Sequence, residues 1–169
     1  MDWREHFTYD EANGNLTWKH RPKEAFKNKQ AFGAWTRKYA GRIAGCLTRG
    51  YILVRIGNRL YRAHRIIWEM HHGPIPKGNE LDHIDTNRAN NRLSNLRVCT
   101  HAQNCLNRGA NKNNRFGLKG VLMCEGRIIS RIMVNGRTTD LGSFPTPEAA
   151  HAAYCAAAKE HHGEFARTA

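Results

Sequence analysis

The sequence predicts an α+β fold, on three observations. Residues 1–61 hold two strand–turn–strand signals that begin with an N-terminal β-hairpin. Residues 80–107 pack a strand, a polar loop, a second strand and a helix into under thirty positions. Residues 127–163 read as a further hairpin followed by a capped helix. With 169 residues, the chain has room for one domain or two small ones.

The hairpins come first. Phe7-Thr-Tyr9 and Leu16-Thr-Trp18 flank Asn13-Gly14. Residues 51–56 and 59–61 flank Gly57-Asn58, and residues 127–134 and 137–139 flank Asn135-Gly136. Asn-Gly and Gly-Asn suit two-residue hairpins because those turns require positive φ. The second hairpin leads to a helix over about 62–72, stopped by Gly73-Pro74, and the third to a helix capped by Thr146. Pro147 at the first helical position and Gly163 beyond the end complete that pattern. The alanine-rich body of this helix reads as a packing face. Residues 108–115 contain no large apolar side chain and read as a linker. Residues 19–40 are basic and weakly periodic, so a long loop is expected there, either lying on phosphates or solvated.

Charge points to the partner. Lys and Arg number 27 against 14 Asp and Glu, a net charge of +13. The excess is spread along the chain: 12 basic and 5 acidic groups in residues 1–60, 7 and 4 in 61–110, 8 and 5 in 111–169. Such a spread suits contact with a polyanion along the whole chain, with nucleic acid the leading partner. No run approaches the ~18 apolar residues of a membrane span, and the start lacks the basic-then-apolar pattern of a secretory leader. The five cysteines, at 46, 99, 105, 124 and 155, are odd in number, widely spaced and never Cys-x-x-Cys. Reduced thiols in a cytoplasmic protein are expected, without structural zinc.

Residues 80–107 carry the chemistry. Asp82 and Asn104 offer hard oxygen donors that suit a divalent cation of the Mg²⁺ or Mn²⁺ kind. A neutral histidine beside such an ion can take a proton from water, and an unperturbed imidazole, with a pKa of about 6.5, is mostly neutral at pH 7. His83 stands next to Asp82.

These residues resemble the HNH nuclease family and its ββα-metal motif, in the branch of phage and intron-encoded homing endonucleases. The resemblance is carried by Arg62-Ala-His64-Arg-Ile-Ile-Trp68, Gly73-Pro-Ile-Pro76, Leu81-Asp-His-Ile-Asp85, Asn91-Arg-Leu-Ser-Asn-Leu-Arg97 and Thr100-x-x-x-Asn104-x-x-Asn107. It implies His83 as the general base, Asp82 as the metal-binding carboxylate and Asn95 as the residue that holds the loop and orients the histidine. It implies Asn104 as a second metal ligand, where many members have histidine; that exchange favours Mg²⁺. Asn91 reads as a turn residue, Asp85 as a loop cap and His64 as a packing residue.

Residues 115–167 resemble the plant ethylene-response-factor type of DNA-binding domain. The carrying string is Gly117-x-Lys119-Gly120-Val121, residues 126–132, Val134-Asn-Gly136, Leu141-Gly-x-Phe144-x-Thr146-x-Glu148-Ala-Ala, Ala153-Tyr154 and Gly163-Glu-Phe165-Ala166. It implies a three-stranded antiparallel sheet packed on one helix. One exposed sheet face, bearing Lys119, Arg127, Arg131 and Arg137, would enter the major groove of double-stranded DNA. The expected organisation is thus a nuclease domain at 1–107, a linker at 108–115 and a DNA-binding domain at 116–169. The activity implied is metal-dependent DNA cleavage by a monomer or homodimer in a bacterial host cytoplasm. The rival is a sequence-specific DNA-binding regulator with an inactive nuclease motif.

Overall fold

A computed structural model describes residues 1–111 and 113–167. It is a mixed α+β structure of small sheets and four α-helices. It divides into two compact units, Met1–Cys99 and Thr100–Ala169. The boundary falls just before the helix of the 80–107 unit, and positions 108–115 lie inside the second unit.

The first unit opens with the expected hairpin, but Asp10 pairs with Asn15, so four residues, 11–14, make the turn in place of a two-residue Asn13-Gly14 turn. Strands β1 (Phe7–Asp10) and β2 (Asn15–Trp18) pair antiparallel, Phe7 opposite Trp18. Residues 19–40 depart from the expected loop: Lys29–Tyr39 forms helix α1, capped by the Asn28 side chain on the Ala31 amide. Its aromatic residues lean on one another and on β2, Trp35 lying 5.9 Å and Tyr39 5.6 Å from the Trp18 ring. A second antiparallel sheet follows, β3 (Cys46–Thr48), β4 (Tyr51–Ile56) and β5 (Arg59–Arg62), with β4 in the middle. Helix α2 (Ala63–His72) presents Ala63, Ile66, Ile67 and Met70 to a core shared with Phe7, Leu16, Trp18 and Val54. Strands β6 (Asn79–His83) and β7 (Leu96–Thr100) then pair, and Leu96 enters the same core.

The second unit begins with α3 (His101–Leu106), for which Thr100 and Gln103 form a reciprocal capping box. Strands β8 (Val121–Cys124), β9 (Arg127–Val134) and β10 (Arg137–Phe144) make an antiparallel sheet with β9 central. Helix α4 (Pro147–His162) has the expected Thr146 cap and Gly163 stop. Its alanine face does what the composition implied: Ala150 and Ala158 are fully buried, and Ile132, Tyr154 and Ala158 share a core. Gly120 lies so close under the Tyr154 ring that no side chain fits there. No helix among the described residues is long and apolar enough to cross a membrane.

Candidate active site

The site forms where β6 ends. Asp82 and His83 are its last two residues, 7% and 4% exposed. Successive strand side chains point to opposite faces. The pair separates accordingly: Asp82 meets β7 and His83 meets α2 and the loop.

Asp82 accepts two hydrogen bonds on Oδ2 from Arg97 of β7, 3.1 Å from Nε and 2.9 Å from the terminal nitrogen. The guanidinium neutralises a carboxylate that burial would otherwise penalise. His83 packs edge-on against the His64 ring of α2, centroids 4.8 Å apart, with the Tyr51 ring of β4 at 6.2 Å. Its Nε2 lies 3.2 Å from Asn91 Oδ1. An amide oxygen only accepts, so Nε2 carries the proton and the neutral ring has its lone pair on Nδ1. Burial pushes the His83 pKa down; the Asn91 hydrogen bond and the charges of Asp85 and Asp82 resist but do not reverse this. His64 is held neutral more firmly, at about 3, by burial, His83 and the charges of Arg62 and Arg65.

The loop between β6 and β7 is pinned from its centre by Asn95. The Asn95 Oδ1 accepts from the Asp85 amide at 3.0 Å. Its Nδ2 donates to Asp85 Oδ1 and to the Asn90 carbonyl, both at 2.9 Å. Asp85 also accepts from the Asn87 amide and the Asn90 side chain. Burial raises the Asp85 carboxyl, but the bonds from Asn90, Asn95 and Asn87 hold it below the ordinary range. This network secures Thr86 at φ 64, a costly conformation for a β-branched residue, directly after Asp85.

Asn91 is the residue that sequence reasoning missed. It is 2% exposed and is the hydrogen-bond partner of His83 rather than a turn residue. The β1–β2 hairpin holds it in place. Tyr9 Oη accepts from the Leu93 amide at 2.9 Å, and Arg92 Nε donates to the Ala12 carbonyl at 2.7 Å. The turn glycine Gly14 rests on the backbone of Asn91 and Arg92. The first unit therefore gathers Asp82, His83, Asn91 and Asn95; Asn104 belongs to the second, on α3.

The four basic residues expected on one sheet face do not share it. Cross-strand partners lie on the same face. Arg131 sits opposite Asp140 and ion-pairs with it, and Arg127, four residues away on β9, lies on that same open face. Arg137 is paired with Val134, which packs toward the α4 core, so its row belongs to the helix side. Lys119 precedes the sheet altogether. Its ammonium donates to the Leu106 carbonyl and lies 5.8 Å from the Tyr154 ring. Burial and the charge of Arg167 lower its pKa to about 8.

Among the described residues, no group of three or more His, Cys, Asp or Glu side chains is placed to hold a metal. Of the two oxygen donors expected from the sequence, Asp82 lies in the first unit, buried and bound to Arg97, and Asn104 lies in the second. Hard oxygen donors in small number fit an ion that keeps most of its waters.

The HNH endonuclease family matches residues 61–106, from β5 through α3. The chain is 37% identical over 108 residues to Protein 3.8 of Escherichia phage T7, an alignment covering 63% of this chain and 88% of that protein. It is 36% identical over 104 residues to a protein of Acanthamoeba polyphaga mimivirus named "Uncharacterized HNH endonuclease L560", covering 61% of this chain and about half, 54%, of that one. No solved structure matches the chain. The matched segment contains Asp82, His83, Asn91, Asn95 and Asn104; the chain thus carries an HNH endonuclease domain over residues 61–106 and belongs to one family with the phage protein.

Proposed function

We propose that the protein is a metal-dependent endonuclease that hydrolyses phosphodiester bonds in double-stranded DNA, with His83 as general base. One observation carries this reading: a buried, neutral imidazole, fixed through Nε2 by Asn91, stands beside a buried carboxylate within the family-matched segment. Nδ1 of His83 takes a proton from water as its oxygen attacks phosphorus in line. The bond from phosphorus to the 3′ oxygen breaks, and that oxygen leaves with the electron pair and takes a proton from solvent to become the 3′ hydroxyl. The other product carries the 5′ phosphate.

Asp82 and, from the motif, Asn104 are the residues assigned to a divalent ion, Mg²⁺ before Mn²⁺. Such an ion supplies Lewis-acid stabilisation of the charge that develops on the phosphate. Arg97 balances the Asp82 carboxylate, and Asn95 is a positioning residue that keeps the loop closed around His83. Arg127, with Arg131 beside it, is the DNA contact assigned to the open sheet face. Lys119 and Arg137 would reach DNA from other surfaces. The biological setting that fits is phage DNA, as a homing or nicking enzyme.

Supercoiled plasmid with Mg²⁺, with and without chelator, tests the activity. His83→Ala should lower cleavage at least about 10²-fold, the contribution of a placed base, while duplex binding in chelator persists. Full activity in that variant would refute the base assignment. Intact plasmid with the unaltered protein would favour the regulator reading instead.

A further inference from the structure

Tyr51 of β4 is a mounting plate for two cations next to His83. The Arg62 guanidinium lies 4.6 Å from the Tyr51 ring centroid and the Arg88 guanidinium 5.0 Å from it. The same ring stands 5.5 Å from His64 and 6.2 Å from His83. Arg62 ends β5, and Arg88 comes from the loop between β6 and β7. The Arg88 stem passes Gly50, whose missing side chain leaves Arg88 Cδ only 3.8 Å from where a Cβ would stand.

Arg97 is bound to Asp82, Arg131 to Asp140, Arg92 to the Ala12 carbonyl and Arg4 to the Met70 carbonyl. Among the described residues neither Arg62 nor Arg88 has an ion pair or a side-chain hydrogen bond. Nearby Asp85 is committed to Asn87, Asn90 and Asn95. Two like charges are thus brought to one ring with no paired carboxylate to offset their repulsion. Stacking uses the flat face of a guanidinium and leaves its edge donors open, in the fork geometry that fits a phosphate with two bonds.

We propose that Arg62 and Arg88 form a two-pronged clamp, mounted on Tyr51, for the DNA backbone phosphates that flank the bond cut at His83. The clamp rests on the nuclease reading for its position at the cut, but its grip on phosphate is measurable without cleavage.

The test is duplex binding in chelator across a salt series, with folding of each variant checked by circular dichroism. Each phosphate that a variant no longer neutralises should reduce the slope of log affinity against log salt by about 0.9. Arg62→Gln and Arg88→Gln should each weaken binding several-fold, and the double variant should lower the slope about twice as far as either alone. Tyr51→Leu keeps both charges but removes the mount, and should weaken binding at least about threefold. An unchanged slope in the double variant overturns the clamp. Unchanged affinity in Tyr51→Leu overturns the mounting and leaves two ordinary surface charges. Methylphosphonate linkages beside the mapped cut site should lower wild-type affinity to that of the double variant and leave the double variant unmoved. Equal falls in affinity for both proteins would place the arginines elsewhere on the duplex and overturn the clamp at the cut. If the unaltered protein cuts nothing, the nuclease reading fails while the salt slopes still decide the phosphate contacts.

Discussion

At the scale of residues, the site depends on one buried amide. Asn91 gives His83 an acceptor for Nε2 and thereby fixes the tautomer, with the lone pair on Nδ1. Removing the partner of a buried polar group costs about 1–3 kcal/mol, so Asn91→Ala should lower the cleavage rate about 10–100-fold with substrate affinity little changed. Asn91→Asp separates orientation from packing, because it sets an anion against the ring and raises its pKa. The base must be deprotonated, so the acidic limb of the pH–rate profile should move to higher pH; an unmoved limb would exclude Asn91 from this role. His64 makes a different prediction. In the folded chain it resists protonation until about pH 3, whereas unfolded it takes a proton near 6.5. Its contribution is complete above pH 6.5 and is lost as pH falls from there toward 3, at about 1.4 kcal/mol per pH unit at most. His64→Gln should show a smaller drop in melting temperature between pH 7 and pH 4.5 than the unaltered protein. The placement of Asp82, His83 and Asn95 around one loop was legible in the sequence because they sit in one short string. Asn91 was not, since its neighbours in that string say nothing of the ring it reaches, and an asparagine in an Asn-rich loop looks like every other turn residue.

At the scale of elements, the N-terminal hairpin acts as a strut for the loop that carries Asn91. A Cβ on Gly14 would stand 2.6 Å from the Arg92 amide nitrogen and 2.8 Å from the Asn91 carbonyl carbon, and φ there is +71°. Gly57, at φ +56°, has nothing within 4 Å of its Cβ position. Gly57→Ala should therefore cost only the left-handed backbone strain, about 1–2 kcal/mol, and leave cleavage intact. Gly14→Ala adds a collision with backbone that can yield only by moving the loop, and should cost more stability and lower activity as well. Thermal melts and plasmid cleavage on the two variants make the comparison; equal effects would show that the strut does not reach the site. The hairpins were readable from their Asn-Gly and Gly-Asn turns, and α4 from its Thr, Pro and Gly punctuation. Helix α1 was not anticipated, although Asn28 caps it and Phe32, Trp35 and Tyr39 recur at helical spacing. Its remaining surface is basic, and none of its residues is fully buried, so the apolar stripe is narrow and composition masked it. The open and helix-covered faces of the C-terminal sheet also escaped the sequence, because a face is set by register, and Arg137 falls one position out of step with Arg131 across the hairpin.

At the scale of the whole molecule, the charge is shared by both units. Residues 1–99 carry 18 basic against 9 acidic groups and residues 100–169 carry 9 against 5. A protein whose excess lay in one tail would bind a polyanion through that tail alone; here each unit can neutralise phosphates on its own account. Counterions released by those contacts make affinity fall with salt, by about 10³–10⁵ between 50 and 200 mM for six to ten contacts. Filter binding or fluorescence anisotropy on duplex DNA, in chelator, should show a fall in that range for the full chain. The same titration on A-form duplex RNA should show weaker binding at every salt, since the contact proposed for the open β8–β10 face requires a wide major groove and the RNA major groove is deep and narrow. A fall of less than tenfold would place the excess charge away from the bound surface. Equal affinity for the two duplexes would mean that phosphate alone, and not groove shape, is read.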